Sequence, residues 1–301
     1  MGPRSPLRWL LPALAPASYL LACAILGALL AYPLALALDG RVPLPVLVGR
    51  LTQGMLLIGM VAVLRRPPLR AVDLGFPSRP GRLLRQLLVG FGLGVAMLGL
   101  HVLVLVALDI RTVDLARLAA PARLWEGLWK ALATGLAVAF LEEPLFRGLL
   151  LGGLVRATPR AFAVVVCSLY FAALHFLKTD LQPAFAELRW YSGVPLVLDA
   201  FRQWPARIQP DTFLALLSAG ILLALVRLRR PGNLGYCIGL HAGWVFVIKA
   251  TRAFTRANPE ESLIVLVGHY DGVIGYLAAA WMALIIIVLV AVGRYVLPRP
   301  G

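Results

Sequence analysis

The sequence predicts an all-α fold, a polytopic bundle of about eight transmembrane helices. Of its 301 residues 60% are hydrophobic, and the mean hydropathy is +0.85, whereas a soluble domain is only about half apolar. The apolar residues also fall in long blocks, and a helix that spans a bilayer needs about 20 of them in a row. Arginine-rich segments separate the blocks, as expected of loops between spans.

Hydropathy places the helices in order along the chain, and together they form one integral membrane domain over residues 1–301. Glycine and proline occur within several of them, which membrane helices tolerate. The eight predicted spans cover residues 15–38, 46–64, 87–108, 127–155, 161–177, 213–228, 233–250 and 273–293. The connection 178–212 is the longest, and its mixed aromatic and charged residues are typical of a membrane interface.

The charge distribution predicts the orientation of these spans. If the N-terminus is cytoplasmic, the arginines concentrate in the segments on that side, while the outer segments are nearly neutral, as the positive-inside rule requires. Both termini are then cytoplasmic. The net charge of +15 is thereby explained by the lipid bilayer, and we expect no nucleic-acid partner. The arginine bias over lysine favours a bacterial cytoplasmic membrane.

Two further features exclude simpler interpretations. The apolar run from Trp9 to Leu38 is too long for the apolar region of a signal peptide, which favours an uncleaved first span. The three cysteines, Cys23, Cys167 and Cys237, are odd in number and lack the spacing of metal ligands. They are predicted to be small core residues.

Three charged side chains lie deep in the fourth predicted span, in the segment LEEPLFRGL at 141–149. A charge at the bilayer centre costs about 2.5–3.5 kcal/mol, so these groups must face protein or a wet cavity. Glu143 and Arg147 are four residues apart on one helix face and should pair. Glu142 is rotated about 100° from Glu143. Pro144 lacks an N–H, which predicts a bend here.

Two histidines lie at a similar depth on other predicted helices. Counting about 1.5 Å per residue from the cytoplasmic ends, Glu142 lies roughly 20 Å deep, His175 about 22 Å and His241 about 14 Å. Two carboxylates and two imidazoles near mid-membrane can support hydrolysis. Glu142 would take a proton from water, and the histidines would stabilise an oxyanion or bind a metal.

These residues resemble the signature of a known family. Glu142-Glu143-x-x-x-Arg147, Phe171-x-x-x-His175 and a late His241 are similar to the motifs of the CAAX prenyl endopeptidase and bacteriocin-processing (Abi) family of intramembrane proteases. The resemblance covers about residues 127–250.

The resemblance implies an eight-helix bundle with glutamate-dependent peptide hydrolysis in a cavity. Glu142 would activate water, Glu143 and Arg147 would set its position and charge, and His175 and His241 would stabilise the oxyanion. The substrate would be a peptide or protein within the membrane. The family is often labelled metalloprotease. We expect no metal or other cofactor, although a divalent metal such as zinc is compatible with these residue types.

One departure from the family keeps other functions open. The family usually carries Asn or Asp four residues after the last histidine, where this chain has Val245. Loss of one oxyanion donor typically costs 10²–10³ in turnover. A catalytically inactive member that binds or protects a partner is therefore one alternative, and a small-solute transporter with a buried relay is another. The charges lack a counterpart in the first half of the chain, which argues against the paired halves of many transporters.

Overall fold

Long helices make up nearly all of the regular structure in the computed structural model, which describes residues 7–64 and 70–296. The all-α class is confirmed. The helices are α1 Leu7–Ala37, α2 Leu44–Leu64, α3 Pro80–Ala107, α4 Leu115–Leu118, α5 Pro121–Glu143, α6 Leu151–Ala157, α7 Arg160–Leu174, α8 Gly193–Arg207, α9 Pro210–Arg229, α10 Leu234–Phe254 and α11 Tyr276–Val296. Two short strands, β1 Arg111–Val113 and β2 Thr255–Ala257, pair antiparallel.

Five of the described helices are long and apolar enough to cross a membrane, by length and composition. Two shorter helices, α7 and the Tyr276–Ala291 part of α11, are also apolar. The chain is therefore an integral membrane protein, as predicted. The count of eight spans stays a prediction. The predicted fourth span coincides with α5 and its continuation, and these are neither among the five long apolar helices nor among the two shorter ones.

Proline sets the start of three of the long helices. Pro80, Pro121 and Pro210 stand in the first turn of α3, α5 and α9. The first N–H groups of a helix have no partner within it, so proline loses no hydrogen bond there and its fixed φ suits the helix. This explains why α3 begins at Pro80, seven residues before the predicted start at residue 87.

The chain divides into two compact units, and the first comprises residues 1–70, 149–166 and 173–208. Small residues of α1 pack there against α2 and α8. A Cβ atom at Gly193 would lie 2.3 Å from the carbonyl oxygen of Ala28, so α8 lies directly on the α1 backbone. The buried residues of this core are Ala24, Ala28, Ala31, Ala35, Leu44, Leu47, Val48, Leu188, Leu196 and Val197.

Helix α8 is an element that hydropathy missed. The segment 178–212 was expected to be an interfacial loop, but it contains a 3₁₀ turn, Phe185–Glu187, and the 15-residue α8. Asp199 on α8 accepts hydrogen bonds from Thr179 at 2.5 Å and from Gln203 at 2.6 Å. Asp199, one of the polar residues that hid the helix from a hydropathy scan, is thus hydrogen-bonded within its own unit.

The second unit comprises residues 71–148, 167–172 and 209–301. Its centre is α10, which packs against α3 and α5 through glycines. A Cβ atom at Gly94 would lie 2.4 Å from the Leu240 carbonyl oxygen, and one at Gly135 would lie 2.6 Å from that of Ala242. Small residues of this kind allow membrane helices to approach backbone to backbone. They fix α10 firmly beside the end of α5.

A polar cluster joins the two strands of the second unit to the loop before α11. The buried Arg111 donates to the Gly272 carbonyl at 2.6 Å and to the Thr255 hydroxyl at 2.5 Å. Asp271 accepts from the backbone N–H groups of Val273 and Ile274, both at 2.9 Å. Burial raises the pKa of the Asp271 carboxyl above its usual range. Asp271 is thus a turn-capping residue.

Candidate active site

The site begins where α5 changes its helical type. Glu143 is the last residue of α5, and Pro144–Leu150 forms a π-helix before α6. Pro144 has no N–H to bond the carbonyl four residues earlier, so the ordinary α-helical ladder is interrupted there. The span predicted over 127–155, with a bend at Pro144, consists of three segments, namely the end of α5, the π-helix and α6. Short π-helical insertions occur frequently at functional sites.

Glu143 and Arg147 form the ion pair that their spacing predicts. Nη1 of Arg147 lies 3.0 Å from Oε1 of Glu143, and both side chains are fully buried. In a medium of low dielectric constant, a buried charge is tolerated only when a partner and further hydrogen bonds compensate its desolvation. The pair therefore has to be considered with its surroundings.

Aromatic and backbone groups complete the environment of Arg147. Its guanidinium carbon lies 4.1 Å from the centre of the Phe171 ring and 5.7 Å from that of Phe146. The two rings meet edge to face at 5.3 Å. A cation above an aromatic face is stabilised by the ring quadrupole, more strongly when desolvated. Nη2 also points to the Gly220 carbonyl oxygen at 3.4 Å.

His241 of α10 joins the same carboxylate. Its Nδ1 lies 2.8 Å from Oε1 of Glu143, and the side chain is 6% exposed. An ionised carboxylate can only accept, so Nδ1 is the donor and Nε2 is the nitrogen left for other partners. The His241 ring also meets Phe171 edge to face, with centroids 5.7 Å apart. Glu143 thus orients both Arg147 and His241.

Glu142 has a different environment from its neighbour. Its Oε2 is buried and has no hydrogen-bond partner among the described residues. It precedes Glu143 on α5, so its side chain leaves the helix in another direction, about 100° away. Oε2 of Glu143 is unpartnered in the same way, but its Oε1 is bound by Arg147 and His241.

The fifth predicted site residue is His175. It is the residue at which α7 ends, it is half-buried, and it belongs to the first unit. The second unit therefore brings together Glu142, Glu143, Arg147 and His241, and the role of His175 stays a prediction.

Two contributors to the site were not anticipated from the sequence. Phe171 lies one helical turn before His175 in the quoted motif, but its contacts with Arg147 and His241 were not foreseen. The Gly220 carbonyl carries no sequence signal, because every residue has one. A Cβ atom at Gly220 would lie 3.0 Å from the Ser168 Cβ, so a glycine at this position lets α9 approach α7 closely.

The geometry at Glu143 does not suit a metal ligand. Its Oε1 already faces the guanidinium of Arg147, and a divalent cation bound there would lie against a permanent positive charge. Among residues 7–64 and 70–296, no group of three or more His, Cys, Asp or Glu side chains is arranged as a metal site. No step below is therefore assigned to a metal, and metal independence stays a prediction.

Comparison with protein families assigns the segment that carries this geometry. Residues 124–247 match the family described as type II CAAX prenyl endopeptidase Rce1-like. Over this segment the chain is similar to the Rce1-like CAAX protease family. The predicted family is thereby confirmed, and all five predicted site residues lie within the match. Neither a curated protein nor a solved structure gives a significant match.

The family match narrows the function to a class. It describes membrane-embedded proteases, that is, hydrolases of peptide bonds, and it agrees with a chain whose helices are apolar enough to span a bilayer. A membrane-embedded peptide or protein is the kind of substrate that fits this class.

Proposed function

We propose that this protein is an intramembrane endopeptidase in which Glu142 activates water to hydrolyse a peptide bond of a membrane-associated protein or peptide. The observation that carries the proposal is the division of labour between adjacent glutamates. Oε1 of Glu143 is held by Arg147 and His241. Oε2 of both glutamates lacks a hydrogen-bond partner among the described residues, but the charge of Glu143 is already balanced by Arg147, which leaves Glu142 as the base. An unpaired buried carboxylate oxygen is a group that can receive a proton.

The proposed reaction needs one water and one proton carrier. Glu142 removes a proton from water while the water oxygen bonds to the carbonyl carbon, which gives a tetrahedral intermediate with a negatively charged oxygen. When that intermediate collapses, the C–N bond breaks and Glu142 returns the proton to the leaving nitrogen. The products are a carboxylic acid and an amine, and Glu142 is regenerated as a carboxylate.

His241 and Arg147 act through charge. Glu143 accepts from Nδ1 of His241 at 2.8 Å, and an imidazolium held in this way presents Nε2–H to the oxyanion. With His241 protonated, two negative glutamates face two positive groups and the formal charges of the cluster cancel. A neutral cluster is the arrangement that a low-dielectric interior favours. His175 supplies the second imidazole in this scheme, as the family resemblance implies.

The setting of the reaction follows from the sequence. The protein acts in a bacterial cytoplasmic membrane with both termini in the cytoplasm, as its arginine distribution indicates. The site is reached by substrates that are already in or on the bilayer. The reaction proceeds without a metal or other cofactor.

One observation favours a second function, that of a catalytically inactive member that binds a membrane partner. Val245 stands where the family usually carries Asn or Asp, so a side-chain donor to the oxyanion is missing at that position. The two functions predict opposite results in a hydrolysis assay.

The decisive experiment compares wild type with Glu142→Gln in detergent. Internally quenched peptides, with and without a C-terminal prenylated cysteine, are incubated with each protein in the presence and absence of a metal chelator. We expect cleavage by wild type that is lost in Glu142→Gln, because the amide cannot accept the proton, and that persists with chelator. Glu126→Gln is the matched control, since Glu126 lies on the same helix with its side chain 61% exposed.

Each other outcome has a definite meaning. Cleavage that wild type and Glu142→Gln share would refute the role of Glu142. Cleavage abolished by chelator in wild type would refute the metal-free reaction. No cleavage of any peptide by wild type, together with retention of a membrane partner in pull-down, would replace the enzyme with the inactive binding protein.

A further inference from the structure

On the helix that carries His241, one buried indole N–H lacks a hydrogen-bond partner within the described part of the chain. Trp244 of α10 is 5% exposed, and its Nε1 has no hydrogen bond among the described residues. Two other tryptophans differ, because Trp204 donates to the Ala173 carbonyl at 2.7 Å and Trp281 to that of Met97 at 3.0 Å. Buried tryptophans usually find an acceptor. A buried donor without an acceptor lowers the stability of the folded state, so the unpaired Trp244 N–H needs a physical explanation.

The location of Trp244 points to the site. It follows His241 by three residues, and residues at this spacing share one face of a helix. Helical side chains lean towards the helix N-terminus, so we expect the indole of Trp244 to lie over the turn that carries His241. Trp244 also belongs to the same buried cluster as Ala139, which lies one turn before Glu143 on α5.

The donor that His241 provides from α10 is not a permanent one. His241 directs Nδ1 to Glu143, and its Nε2 can donate only while the ring is cationic. Val245, the residue after Trp244, has a hydrocarbon side chain where the family usually has an amide or a carboxyl group. An indole N–H, by contrast, is only ever a donor and does not titrate.

We propose that the Trp244 indole N–H donates a hydrogen bond to the oxyanion of the tetrahedral intermediate, in place of the side chain that Val245 does not provide. This role rests on the proposed peptidase function. A donor that is unpaired at rest and bonded only when negative charge develops stabilises the transition state more than the bound substrate. Preorganised donors of this kind act most strongly in sites from which water is excluded.

Trp244→Phe tests the role, because it removes the N–H and keeps a buried aromatic ring. We expect kcat to fall by about 10²–10³ with KM changed less than about twofold, as for the loss of one oxyanion donor. Trp281→Phe is the matched control. It loses an indole that is already bonded to a carbonyl, so kcat should stay within about twofold of wild type. Adding Val245→Asn to Trp244→Phe should restore at least about tenfold of the lost kcat.

A spectroscopic readout separates this role from a packing role. In protein labelled with ¹⁵N-tryptophan, the Trp244 indole signal is identified by its absence from Trp244→Phe. Binding of a phosphinate analogue of the best peptide, which carries a tetrahedral anionic oxygen, should shift this signal downfield while the Trp281 signal stays in place. Unchanged kcat in Trp244→Phe, or an indole signal that does not respond to the analogue, would overturn the assignment.

The two proposals fail in different ways. Cleavage that requires Glu142 but not the Trp244 N–H would leave the peptidase intact and remove only the indole from the mechanism. A wild-type protein that cleaves nothing would refute the peptidase and the indole role together.

Discussion

Replacing Arg147 by methionine should destabilise the protein strongly. The substitution leaves Glu143 fully buried with its charge opposed only by the 2.8 Å contact with His241. It also removes the cation over the Phe171 ring at 4.1 Å. Removal of one partner from a buried pair typically costs about 3–5 kcal/mol. Because one partner remains, we expect a loss near the lower limit, about 3 kcal/mol in the free energy of unfolding.

A pair on α5 offers a matched control. Glu126 and Lys130 have the same four-residue spacing at 2.5 Å, but their side chains are 61% and 72% exposed. Exposed helical pairs of this spacing contribute about 0.3–0.5 kcal/mol. Lys130→Met should therefore cost far less than Arg147→Met. Both free energies are measured by unfolding in mixed micelles with increasing denaturing detergent.

A double variant checks the cause of the loss. Glu143→Met combined with Arg147→Met removes both charges, and a buried pair exchanged for apolar side chains of similar volume is often nearly neutral in stability. We expect the double variant to recover at least about half of the loss. The reasoning would be refuted if Arg147→Met cost no more than Lys130→Met, or if the double variant were less stable than the single one.

Two further predictions concern the second unit. Burial raises the pKa of the Asp271 carboxyl above 3.8, so folding favours its protonated form. The contribution of Asp271 to the free energy of unfolding therefore increases as the pH falls through the raised pKa towards 3.8, and it decreases as the pH rises. Asp271→Asn, whose amide oxygen can still accept hydrogen bonds from the N–H groups of the turn, should flatten this pH dependence of the unfolding midpoint. An unchanged pH profile in Asp271→Asn would contradict the role of this carboxyl group. Gly94→Ala should destabilise by about 1–3 kcal/mol, because its Cβ would lie 2.4 Å from the Leu240 carbonyl oxygen. Gly92→Ala, with nothing within 4 Å, should be neutral or stabilising by up to about 1 kcal/mol, and equal effects at the two sites would contradict the helix contact.

The site illustrates which contacts a sequence can specify. The Glu143–Arg147 bond could be predicted because residues four apart on a helix are neighbours whatever surrounds them. The Glu143–His241 bond joins residues 98 positions apart, and it depends on α10 lying against α5. The predicted depth in the membrane selected the candidate site residues, but it did not predict which of the two glutamates His241 would contact.

Phe171 and the π-helix show a similar limit. Pro144 predicted an interruption of the helix, because proline lacks an N–H. Whether the chain would bend, break or widen depended on the packing around Pro144–Leu150. The stacking of Phe171 on Arg147 likewise required α7 and the π-helix to be neighbours.

The sequence by itself determined the membrane class, the family and the residues with chemical potential, since hydropathy, charge and motif spacing are properties of the chain. The tertiary structure decided which of those residues contact one another. It bound Oε1 of Glu143 to Arg147 and His241, and it left Oε2 of both glutamates and the Trp244 N–H without hydrogen-bond partners among the described residues. The reason is physical: local spacing fixes contacts within one helix, whereas contacts between helices depend on how closely glycine-lined surfaces such as those of α3, α5 and α10 can pack.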